Sequence, residues 1–174
     1  MVYNDQVSPK LILIRFYRDA FKVLLNPKVF YESMPEQKDQ QALIVFVTIS
    51  SLLYSLAATL FTRDQQLIFL VMFFFNGLLM PILLAAILYL VLHLLQTGIG
   101  YGLALAITGY ANAALFFAWI PAMAPFAELF RYYLIGVGIA KVAGLSGWKA
   151  FFVLLGMGAL LLMMFYFLQM VIAH

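Results

Sequence analysis

Few side chains in this sequence can do chemistry, and they lie far apart. Glu128 is the only acid after Asp64, and Arg131 follows three residues later inside a long apolar stretch. At that spacing both sit on one helix face and can form an ion pair. Asn76 and Asn112 are amides in the middle of other apolar stretches, able to hydrogen-bond between helices or to line a polar path. Ser146 lies in Gly-Leu-Ser-Gly, a form found around serine nucleophiles. Such a serine needs a base within hydrogen-bond reach. The histidines are His93 and the C-terminal His174; His174 is expected across the membrane from Ser146, whereas His93 ends the second span on the inner side and could approach it. Capping of the last helix by Ser146, with the turn made by Gly144 and Gly147, accounts for the same residues without a nucleophile. One late carboxylate and one interior histidine make no metal set. There is no cysteine, hence no thiolate and no disulfide. No phosphate-binding or dinucleotide fingerprint occurs. No catalytic residue, cofactor or metal is expected, and the chain is read as no enzyme.

The elements that carry these residues follow from composition. The chain has 174 residues, 66% of them hydrophobic and 10% charged, with a mean hydropathy of +1.03. A core of this size cannot bury that much apolar surface, so the bilayer must solvate most of it. Six of the ten basic residues lie in the first 38 positions. That placement suits a membrane surface and an orientation signal, not nucleic acid. The expected fold is all-α: a polytopic membrane protein with five transmembrane helices after an amphipathic interfacial helix. Residues 1–40 form the cytoplasmic segment and 41–174 the membrane domain.

In the first segment, Ser8 and Pro9 can open a helix over 8–25. Arg15, Arg18, Asp19 and Lys22 recur on one face of it. With so many apolar neighbours, Arg15, Arg18 and Lys22 form an interfacial basic face that reaches water. A helix packed under the bundle is the alternative. Asn26-Pro27 ends this helix, and Ser33 to Glu36 has capping-box spacing to start the next. Arg15, Arg18, Asp19 and Lys22 also argue against a cleaved signal peptide.

Five apolar stretches follow, at 41–61, 67–95, 101–120, 125–145 and 147–172. The second exceeds the roughly 20 residues needed to span, and Asn76, Gly77 and Pro81 predict one bent helix there. Lysine and arginine counts put the N-terminus inside and the C-terminus outside. Trp119 then falls at the outer interface and Trp148 at the inner one. Small residues mark expected helix contacts: Gly98 with Gly102, Gly109 with Ala113, and Gly136, Ala140 and Gly144 in a row, with Gly156 and Gly158 on the last span. For Glu128 and Arg131 two readings stay open. One is an outer-leaflet ion pair that fixes helix rotation. The other is an inward-facing pair on a cavity open to headgroups, an ion or a partner helix.

Three segments carry a resemblance: "LLNPKVFYESM" before the first span, "ITGYANAALFFAWIP" in the third, and "GIAKVAGLSGWKAF" leading into the fifth. With the number and spacing of spans, they make the chain similar to the Yip domain family (Ypt-interacting proteins) over 24–172. The resemblance implies a cytoplasmic N-terminus, five membrane helices and no catalytic residue set. Eukaryotic members are associated with Rab GTPases; this chain lacks their long soluble N-terminal region, so it looks like the short prokaryotic form. The GTPase partner is therefore not carried over. The expected function is non-enzymatic: binding membrane partners or organising lipid in an inner membrane, as a homo-oligomer or in a membrane-protein complex. The alternative is a small transporter, channel or lipid-moving protein, with Asn76, Asn112, Glu128 and Arg131 along a polar path.

Overall fold

The computed structural model describes residues 9–34, 39–60, 65–118 and 120–172. Expectations that rest on Ser8, Glu36, Arg63, Trp119 and His174 lie outside the described residues. The described residues form helices and turns, with no strand among them. The long helices are α3 (Gln40–Thr59), α4 (Gln66–Leu94), α7 (Ala124–Val142) and α8 (Gly147–Ile172). Between α4 and α7 the chain forms α5 (Tyr101–Tyr110), a 3-10 turn (Ala111–Ala114) and the short α6 (Leu115–Ala118). Four segments are long and apolar enough to cross a membrane: α3, α4, Tyr101–Ala118 and α8. α7 has 19 residues but carries Glu128, Arg131 and Lys141.

Each span agrees with its apolar run to within a few residues, and the differences have local causes. α4 is one unbroken helix of 29 residues with Pro81 inside it. The third span is interrupted, because Ala111–Ala114 tighten into a 3-10 turn. α7 stops at Val142, and Gly144 follows with φ of +63°, a left-handed conformation that glycine adopts without strain. α8 buries one stripe, Ala150, Val153, Met157 and Leu161, and leaves most of its other side chains exposed. A helix apolar all round with one buried stripe requires lipid as its solvent.

Two helices precede the bundle. α1 (Pro9–Leu25) ends where Asn26-Pro27 predicts. The chain then enters α2 (Pro27–Ser33), which the sequence reading missed: Pro27 ends one helix and sits at the first position of the next. The capping box at Ser33 is corrected as well. Ser33 closes α2, and its hydroxyl donates to the Phe30 carbonyl at 2.9 Å. Asp39 caps α3 instead, its carboxylate accepting from the Ala42 N–H at 3.0 Å.

That N–H, and then the Arg15 guanidinium, hold the Asp39 carboxyl below its ordinary value of 3.8. A lowered value means the cap contributes fully above 3.8 and fades as the pH falls through the lower folded value. Asp39→Ala is expected to lower stability by about 1 kcal/mol at neutral pH. In thermal unfolding across pH, the gap between variant and parent should close in acid; a gap that stays constant into acid would refute the assignment.

α1 does not lie free of the bundle. Phe16, Ala20 and Val23 are buried at helical spacing, while Leu13, Ile14, Tyr17 and Phe21 stay exposed. The Phe16 ring meets Phe46 of α3 at 5.2 Å and Phe116 of α6 at 5.8 Å. Tyr110 of α5 meets both Phe30 of α2, at 4.9 Å, and Phe46, at 4.8 Å. This aromatic cluster fastens α1 and α2 to one end of the bundle.

Candidate intramembrane polar site

Proline dictates the centre of the bundle. Pro81 has no N–H, so the carbonyl four residues back, that of Gly77, loses its helical donor. In an apolar interior an unpaired carbonyl is costly. The structure supplies the missing donor from another helix. Asn112, fully buried in the 3-10 turn, donates through Nδ2 to the Gly77 carbonyl at 2.9 Å. One turn earlier, the Thr108 hydroxyl lies 2.9 Å from the Pro81 carbonyl. Two side chains of the third span thus clasp the proline turn of α4.

Gly77 serves a second purpose. A Cβ built there would come within 2.6 Å of Ser51 Oγ and 2.8 Å of Ser51 Cβ. The missing side chain lets α3 close against α4 at this level. The Ser51 hydroxyl and the Asn112 carbonyl oxygen are buried and make no hydrogen bond among the described residues.

The three segments that carried the resemblance meet beside this clasp. Tyr31 of α2 is fully buried and donates to the Ile107 carbonyl at 3.3 Å. Burial pushes its hydroxyl pKa far up, so it stays neutral. Gly138 of α7 makes room for it: a Cβ there would meet Ile107 Cγ2 at 2.7 Å and the Tyr31 ring at 3.2 Å. Lys141, one turn on, pairs with Glu32 of α2. Gly109 faces Leu43 and Val47 of α3, where a Cβ would come within 2.8 Å of Leu43 Cδ1. In the run Thr108-Gly109-Tyr110-Ala111-Asn112, the side chains pack or donate to a carbonyl of α4, and Asn112 Oδ1 alone in the run is buried without a partner among the described residues.

The candidate polar residues do not assemble into one site. Asn76 is exposed on the outer face of α4, one residue away from buried Gly77 and turned from it by about 100°. Arg131 Nη1 bonds Glu128 Oε1 at 3.1 Å, as the spacing predicts. The side chains are not alike in exposure: that of Arg131 is 5% exposed, that of Glu128 47%. Arg131 is thus enclosed by protein rather than reaching water, and its Nε has no hydrogen-bond partner among the described residues. Glu128 is the fifth residue of α7, beyond the first turn, where the helix dipole acts most strongly.

Of the small-residue rows, Gly136 makes a tight contact, since a Cβ would meet Leu154 Cδ1 at 2.9 Å. Ala140 packs partly buried against the core. Gly98 and Gly144 have no neighbour within 4 Å of an added Cβ, and both have positive φ. They are turn residues, which corrects their assignment to helix contacts. Gly102 meets only Gln40 Nε2, at 3.6 Å, and Gly156 and Gly158 face open space. The glycines that sit at the tightest crossings, Gly77 and Gly138, lacked a small-xxx-small partner that would have flagged Gly77, and Gly138 falls two residues off the row through Gly136.

Ser146 immediately precedes α8 and its carbonyl accepts from the Ala150 N–H at 3.0 Å. The His93 ring lies against Tyr89, at 5.7 Å. It lines a surface cavity formed with Gln96 and Gly98 to Gly100, in which Ser146 has no part. Among the described residues no group of three His, Cys, Asp or Glu side chains could hold a metal ion.

The basic face of α1 holds an ion-pair chain. Arg18 Nε lies 3.1 Å from Asp19 Oδ1, Arg15 Nε 3.8 Å from Asp19 Oδ2, and Arg15 Nη1 2.7 Å from Asp39 Oδ2. Asp19, expected on the solvated face, is buried.

No curated protein and no solved structure matches the chain. The family model of the Yip1 domain matches residues 21–168. That range takes in α2, the proline clasp and the Gly138 contact, so the chain belongs to the Yip1 domain family.

Proposed function

We propose that this is a non-enzymatic membrane protein that holds other membrane components at its surface, a further copy of itself and lipid among them. One observation carries the reading. Inside the bundle the Asn112 amide nitrogen and the Thr108 hydroxyl are engaged by carbonyls of α4, while a mid-span amide, Asn76, is left on the outside. The two cavities described lie between α1 and α3 and at the turn after α4, and neither is lined by Asn112, Glu128 or Arg131. The transport reading rests on the buried polar atoms that have no partner among the described residues, Ser51 Oγ, Asn112 Oδ1 and Arg131 Nε.

In this reading the chain crosses five times, with α7 as the fourth crossing. At about 1.5 Å per residue its 19 residues reach about 28 Å. Its last turn pairs with Glu32, just ahead of α3. In this reading α7 runs the full depth of the bundle, antiparallel to α3. The basic N-terminal residues then face the cytoplasm of a prokaryotic inner membrane and the C-terminus faces outside.

Asn76 sits among exposed Met72, Phe75 and Leu79. An amide both donates and accepts, so two copies related by a two-fold axis satisfy each other. Asn76→Leu is expected to weaken self-association in liposomes about tenfold, read by energy transfer between labelled copies. A monomeric parent protein, or an unchanged Asn76→Leu variant, would refute the self-association.

A further inference from the structure

The groove between α1 and the start of α3 has the chemistry of a phospholipid site. Its volume is about 560 Å³, within the usual range for small-molecule sites. Its polar end is the Arg18, Asp19, Arg15, Asp39 chain, in which two positive and two negative groups alternate. Leu11 and Ile14 of α1 and Val45 and Phe46 of α3 form the apolar walls. Asp39 caps α3, so the polar end lies where the first span begins. Val45 lies six residues along, about 9 Å deeper, at the level of glycerol and upper acyl chain.

Building on the surface-binding role proposed above, we infer that this groove binds one glycerophospholipid with a zwitterionic phosphoethanolamine head. The Arg18 side chain is 57% exposed and that of Arg15 42% exposed. Their N–H groups form a charge-assisted fork for the phosphodiester oxygens. The Asp39 carboxylate, also 42% exposed, receives the ammonium. Asp19 is enclosed and keeps the two guanidinium groups fixed for that purpose.

The charge balance selects the head group. Because the quartet sums to zero, a purely anionic head finds no net attraction and meets repulsion from Asp39. A choline head brings a cation that cannot donate a hydrogen bond. Ethanolamine offers both the cation and the donor. The apolar walls commit the site to the lipid rather than to the free head group.

The test uses the delipidated full chain in mild detergent, titrated with phosphatidylethanolamine, phosphatidylcholine and phosphatidylglycerol of matched acyl chains. Retained lipid is counted by native mass spectrometry. The parent should hold phosphatidylethanolamine about tenfold more tightly than either of the others. Soluble glycerophosphoethanolamine should not compete at equal concentration. Asp39→Asn keeps the cap, because asparagine caps as well as aspartate, and should bring phosphatidylethanolamine down to the phosphatidylcholine level. Arg18→Gln should weaken all three lipids together. Equal retention of the three by the parent, preference for phosphatidylglycerol, competition by the soluble head group, or an undiminished preference in Asp39→Asn overturns the site. Folded protein that self-associates through Asn76 but retains no lipid also overturns it, and leaves the broader surface-binding reading standing.

Discussion

Asn112→Ala is expected to destabilise the protein by about 1–3 kcal/mol, because it strands the Gly77 carbonyl in an apolar interior. The same substitution should do much less harm after Pro81→Ala. Alanine restores an N–H at position 81, and Gly77 regains its own helical donor. Packing lost at Asn112 is common to both backgrounds and cancels in the double-mutant cycle, so the cycle isolates the clasp. A coupling of about 1 kcal/mol is expected, in line with interhelical hydrogen bonds in membranes. Unfolding by denaturing detergent in mixed micelles would give the four stabilities. Additive effects would mean that Asn112 does not serve the proline turn.

Gly77→Ala is the second large effect. Alanine alone would favour helix by up to about 1 kcal/mol. Here the new Cβ would fall 2.6 Å from Ser51 Oγ and 3.2 Å from the Ser51 Cα. Two packed helices must part to admit it, at about 1–3 kcal/mol, so the clash wins and the variant is less stable. Ser51→Gly removes the atoms in the way. In that background Gly77→Ala should become neutral or mildly stabilising, since only the 3.2 Å approach to the Ser51 backbone remains. The reversal is the informative result. Gly77→Ala harming both backgrounds equally would place the tight contact elsewhere.

The spans were legible because lipid demands long apolar runs, and nothing in a soluble fold competes for that pattern. The proline defect was half legible. Pro81 and Gly77 are four apart, so the orphaned carbonyl can be named from sequence. Its donor cannot, because Asn112 lies 35 residues further along. Asn76 and Asn112 look alike as mid-span amides, yet one is exposed and the other buried. α4 is apolar all round, so no hydrophobic face told the sequence reader which side Asn76 takes. The buried stripe Gly77, Pro81, Leu84, Leu88 and Leu92 becomes visible only in the packed bundle.

α2 escaped notice for a different reason. Seven residues are too few to show a period, and Asn26-Pro27 was read as an end when it is also a beginning. Arg131 stayed between two readings because a snorkelling arginine and an inward-facing one have the same sequence. What separates them is the fold around α7, which leaves Glu128 as the partner in contact with the surroundings. The small-residue rows misled at Gly98 and Gly144 because the same residue type serves turns as well as close helix contacts.

We propose that the polar interior of this bundle is closed, holding helices together rather than conducting a solute. Because the chain has no cysteine, a single Ser51→Cys substitution tests it with little change of shape. Ser51 is fully buried beside Gly77. In sealed proteoliposomes this thiol should resist a water-soluble, membrane-impermeant methanethiosulfonate from either side and react only after denaturation, while Lys28→Cys reacts at once. Rapid modification of Ser51→Cys in the folded protein would reveal water at the middle of the bundle and contradict the claim.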